Sequence, residues 1–151
     1  DRRHKRAVNG GPKEELKPME ANPSPGRQLV ASNRPWDPVA YSRAVRVGNI
    51  VEVAGTTAVG PDGEVLFPDD MYGQTRECIR VILAALEELG AAAGDVIRTR
   101  MFLTDIERWD EAGKAHREVF SDIRPASSMV ECTRLLDPGY LIEVEATAIL
   151  S

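Results

Sequence analysis

With 151 residues, 42% hydrophobic and 28% charged, the chain suits one domain with a genuine core and leaves no room for two. The formal net charge of −5 is unevenly spread: residues 1–32 hold seven Lys/Arg against four Asp/Glu, so the acidic excess falls on the remainder. An acidic body argues against a nucleic-acid groove, which needs clustered Lys and Arg, and no apolar run is long enough for a membrane helix.

The first 32 residues lack apolar periodicity and are rich in Gly, Pro and charge, so they are expected to form a flexible basic arm ahead of a domain spanning 33–151. No secretory apolar core follows "DRRHKR", and a cytoplasmic setting is expected. Two valine-rich strands, "SRAVRV" and "NIVEVAG", flank Gly48-Asn49 and predict a hairpin. Pro61-Asp62-Gly63 predicts a turn before a short third strand at Val65. Met71, Cys78, Ile82, Ala85, Leu86 and Leu89 then recur at helical spacing, with Gly90 placed to end the helix.

Alternation returns in a strand from Val96 to Leu103. Thr104 and Glu107 have the spacing of a capping box for a second helix, whose apolar stripe is Trp109, Ala112, His116, Val119 and Phe120. Two final strands are expected over 128–135 and 141–149. The order is β-β-β-α-β-α-β-β, an α+β fold in which two helices cover one face of a sheet.

Strand alternation sorts the residues into two sets. Val51, Val53, Ile97, Met101, Leu103, Val130, Cys132, Ile142, Val144 and Ala146 are expected to meet the helices. Glu52, Ala54, Arg98, Arg100, Phe102, Met129, Glu131, Thr133, Glu143, Glu145 and Thr147 belong to the other face, with Ile50. That mixture fits a subunit interface containing a wet cleft.

Several groups invite a catalytic reading. Ser127 or Ser128 as a nucleophile needs a base, yet the histidines are His4, in the arm, and His116, on a helix stripe, and there is no G-x-S-x-G elbow. Glu143 and Glu145 share a face and suit acid/base work, although Arg98 and Arg100 nearby equally suit an ion-pair network. Tyr41 is suited either to a cleft wall or to simple packing. Two histidines and two cysteines, Cys78 and Cys132, supply neither a metal site nor a disulfide framework.

Three stretches, "AYSRAVRVGNIVEVAGTTAVGPDGEV", "AALEELGAAAGDVIRTRMFLTDIERWDEAGKAHREVF" and "RPASSMVECTRLLDPGYLIEVEATAIL", resemble the RidA/YjgF family of reactive-intermediate deaminases. The resemblance runs from about Pro38 to Leu150 and is most specific in its closing Pro-Ala and Glu-x-Glu-Ala motifs. It implies a chorismate-mutase-like mixed β-sheet with two helices on one face, assembled as a homotrimer with clefts between subunits. It also implies hydrolysis of small imines or enamines, with neither metal nor organic cofactor; the acidic body and the lack of a long apolar run are what argue against a nucleic-acid or membrane partner. Carried over by position, Glu143 would place the attacking water and Tyr41 would line the cleft. The arginine that holds the substrate carboxylate in such enzymes is replaced by Ser127, a cleft serine by Ala54 and a cleft cysteine by Met129. A hydroxyl cannot reproduce a bidentate guanidinium, and losing such a pair costs about 2–5 kcal/mol. The expectation is therefore an altered substrate range, with Ser128 helping to shape the pocket and Arg100 a possible substitute clamp. The alternative is a non-catalytic trimer that binds a small metabolite or serves as a pathway accessory; RNA cleavage is disfavoured by the acidic body.

Overall fold

The computed structural model describes residues 23–32 and 39–151. Among these, six strands and two α-helices follow in the order β1 Gln28–Ala31, β2 Ser42–Val47, β3 Ile50–Thr56, α1 Met71–Glu88, β4 Val96–Leu103, α2 Trp109–Phe120, β5 Ala126–Glu131 and β6 Ile142–Ile149. They form a single sheet of order β1-β2-β3-β6-β4-β5. Only the β4–β5 pair is parallel, and α2 makes the crossover between those strands.

The hairpin turns where predicted. Gly48 takes a φ of +60° at the first central position, the left-handed geometry that a II′-type connection needs there. Helix α1 starts at Asp70, whose carboxylate accepts from the Gly73 N–H at 2.8 Å. It stops at Gly90, φ +79°, where Gly90 N–H bonds Glu87 O and Ala91 N–H bonds Leu86 O, a Schellman arrangement. Every residue of the stripe expected on α1 is buried. The stripe packs against Val51, Val53, Met101, Leu103, Ile142, Val144, Ala146 and Ala148. Fully burying such a side chain contributes about 1.5–3 kcal/mol, which makes this layer the main source of stability.

Five expectations need correction. Strand β1 lies within the segment assigned to the arm and pairs with β2, because Val30 has a core edge to join; residues 1–22 lie outside the described residues. The third strand at Val65 is a lone bridge to Val59. The Thr104–Glu107 capping box does not form: Asp105 caps a short 3-10 turn, Ile106–Arg108, through the Glu107 N–H, while the Thr104 N–H is engaged by Leu141 O. Trp109 at the head of α2 is 60% exposed, since that extra turn carries it off the stripe.

The fifth correction concerns the faces. A bulge between Val96 and Arg98 turns Val96 inward and Ile97 outward. In β5 the predicted sides are exchanged. Met129 pairs with buried Met101 and Ser127 with buried Thr99, whereas Val130 pairs with Phe102 and is 47% exposed. Cys132 falls beyond the end of the strand and is half-buried.

Candidate functional site

The sheet face opposite the helices carries Glu52, Glu143, Glu145, Arg98, Arg100, Ser128 and exposed Ile50, Ile149 and Val130. At one end of it a cavity of about 620 Å³ is lined by Tyr41, Ala54, Gly55, Leu135, Tyr140 and Glu143, with Arg43 at its side. Local sequence explains its shape. The β3–β6 register shifts between Val53 and Thr56, so Ala54 and Gly55 bulge away from the regular ladder. The Glu143 side chain lies over Gly55, where an added Cβ would come within 2.9 Å of the Glu143 Cδ. Only glycine leaves that niche open.

Burial pushes the Glu143 carboxyl above its ordinary value, and the neighbouring Glu145 pushes the same way, while Arg43 pulls it back. Arg43 is itself buried, donates to Gly55 O at 2.7 Å and lies 5.7 Å from the Tyr41 ring centre. The site therefore presents a carboxylate of enhanced basicity beside a guanidinium and two phenol rings, an arrangement suited to moving a proton to or from a small polar molecule.

The floor of the cavity is pinned from the core. Buried Gln74 of α1 donates from Nε2 to Gly139 O at 2.9 Å and to Phe67 O at 3.3 Å, and its Oε1 accepts from the Leu141 N–H at 2.8 Å. This one amide fixes the turn that delivers Tyr140 and the start of β6.

Of the residues singled out in the sequence, Tyr41, Ala54 and Glu143 are brought together here. Arg100 is not among the residues lining the cavity; it faces Glu145 at 3.5 Å, a partly exposed pair of small energetic weight. Ser128 accepts from Arg98 at 3.0 Å on the open face. Ser127 and Met129 lie on the helix-facing side of β5, the outermost strand, two strands from Glu143. Sequence reasoning missed Arg43, Gly55, Leu135 and Tyr140. A glycine directly after Ala54 inside a strand was the available sign of a bulge. Among the described residues no cluster of metal-ligating side chains exists, and burial pushes the Cys78 thiol well above its usual range, which keeps it protonated.

The family model for Endoribonuclease L-PSP matches residues 31–150. The chain belongs to the YjgF/RidA family. Among solved structures of the family, Rv2704 from Mycobacterium tuberculosis is 46% identical, covers 82% of this chain and 99% of its own, and superposes with a TM-score of 0.74. A RutC family protein of Pyrococcus abyssi is 32% identical over 123 residues, 81% of this chain and 96% of that one. The structure of E. coli TdcF with bound serine is 26% identical, covers 82% and 99%, and gives a TM-score of 0.72. Membership of YjgF/RidA accords with a small-molecule binding or processing role, and no helix among the described residues is long and apolar enough to cross a membrane.

Proposed function

We propose that this protein hydrolyses small imines or enamines to carbonyl compounds and ammonia, in a pocket completed by neighbouring copies of the chain in a homotrimer. The observation that carries the reading is Glu143: a half-buried carboxylate of raised basicity, held over Gly55 in a cavity large enough for a small metabolite. Glu143 takes a proton from water as the water oxygen bonds to the C=N carbon. It returns that proton to nitrogen to give the carbinolamine, then carries the hydroxyl proton to the same nitrogen as the C=O bond forms and the C–N bond breaks, releasing ammonia. A carboxyl shifted toward neutrality does both jobs better than an ordinary one.

The placement of the site residues supports the assembly. Ser127 and Met129 face away from Glu143 within one chain, so a shared pocket requires a second copy to present its β5 edge. The uncovered face, with Ile50, Val130 and Ile149 exposed among charges, offers the surface for that contact. Ammonia release from freshly generated imines, with and without a carboxylate, tests the reading. Wild type should turn over at least one class, and Glu143→Gln should fall by about 10²–10⁴-fold. A wild-type protein inactive on both would sink it.

A second reading, metabolite binding without turnover, is favoured by the serine bound in the E. coli TdcF structure. It expects ligand affinity that survives Glu143→Gln. Cleavage of RNA, the activity in the family model's description, fits poorly with a carboxylate-lined cavity and a net charge of −5.

A further inference from the structure

Behind Ser127 runs a chain of hydrogen bonds that the sequence did not reveal. The Thr99 hydroxyl donates to Ser127 Oγ at 2.9 Å, and His116 Nε2 lies 2.9 Å from the same Thr99 oxygen. Thr99 is 1% exposed, so water does not interrupt the link, and Phe120 packs against the imidazole with ring centres 4.6 Å apart. Ser127 is exposed at the outer end of the chain.

Two polarities satisfy this relay, and the tautomer of His116 decides between them; with Thr99 giving its proton to Ser127, the Thr99 oxygen is left to accept and the matching tautomer carries Nε2–H. In that polarity the Ser127 oxygen accepts from Thr99 and its own proton is left to donate elsewhere, on the exposed side. Burial lowers the His116 pKa, which keeps the ring neutral at neutral pH, with Nδ1 bare.

The geometry points to Ser127 as a specificity-determining donor, polarised through Thr99 from His116, that selects an uncharged carbonyl or amide oxygen of the substrate in preference to a carboxylate. The inference rests on the reading that β5 of one copy borders the Glu143 cavity of another. A lone, outward O–H satisfies one neutral acceptor well. It leaves the charge of a carboxylate uncompensated, which an arginine would not.

Two measurements on the full chain test it. Long-range proton–nitrogen NMR should show His116 protonated at Nε2 and bare at Nδ1; the opposite tautomer overturns the relay whatever the pocket does. Calorimetric titration with 2-oxobutanamide and 2-oxobutanoate should show the amide binding more tightly. Ser127→Ala should weaken the amide by about three- to tenfold and leave the acid unchanged, as expected for one neutral hydrogen bond. Thr99→Val, nearly isosteric, should reproduce part of that loss, and Ser127→Arg should reverse the preference. If Glu143→Gln alters binding while Ser127→Ala does not, the pocket stands and the relay falls. If neither compound binds, or the chain is monomeric, the shared pocket fails and the inference with it.

Discussion

The two faces of the sheet obey different rules. On the helix side, Val51, Val144, Ala148 and Leu103 are completely buried and meet α1 and α2 in a dry layer. On the other side, carboxylates, arginines and exposed isoleucines alternate without a cover from the described residues of the same chain. The first face is closed within one chain, while the second is left open by the described residues. The dry layer and Glu143 thus lie on opposite sides of the same strands.

Substitutions should separate the two. The largest effect expected on activity is at the niche: Gly55→Val drives a branched side chain into the Glu143 carboxylate and should abolish turnover, checked by ammonia release, with a smaller loss in melting temperature. Next comes the dry layer. Leu86→Ala should cost about 2–5 kcal/mol in denaturant unfolding, with the oligomer otherwise unchanged. On the open face, Ile50→Asp should leave monomer stability nearly intact and shift sedimentation from trimer to monomer.

The smallest effect is a titration. Folding raises the Glu143 pKa, so the folded state binds that proton more tightly than the unfolded chain. The resulting stability is present below the ordinary value of 4.5 and is lost as pH rises through the folded value. Glu143→Gln should therefore melt higher than wild type at neutral pH, with the gap closing toward pH 4. An Ile50→Asp variant that unfolds as readily as Leu86→Ala would break the division between the two faces.

Periodicity was sufficient wherever one face is dry. The α1 stripe and its Gly90 stop follow directly from spacing, because burial of one side leaves a strong apolar signal. It failed in β5, an edge strand with partial exposure on both sides, where Met129 and Val130 are equally apolar and only the pairing with β4 sets which faces inward. It also failed at the bulge between Val96 and Arg98, since one extra residue reverses parity: Ile97 was placed inside and lies outside. Of the candidate site, Glu143, Tyr41 and Ala54 were legible. Arg43 was not, because its role depends on Gly55 coming close across the hairpin, a tertiary fact. The link from Ser127 to His116 was equally hidden, since it passes through Thr99 on a third element.

Gln74 has a consequence for motion. The segment 137–141 has no regular structure, and such segments ordinarily open on their own. Here its Leu141 amide is held by the fully buried side chain of Gln74, near the start of α1. That amide should exchange with deuterium as slowly as the core strands, and Gln74→Leu should release it to the rate of a surface turn.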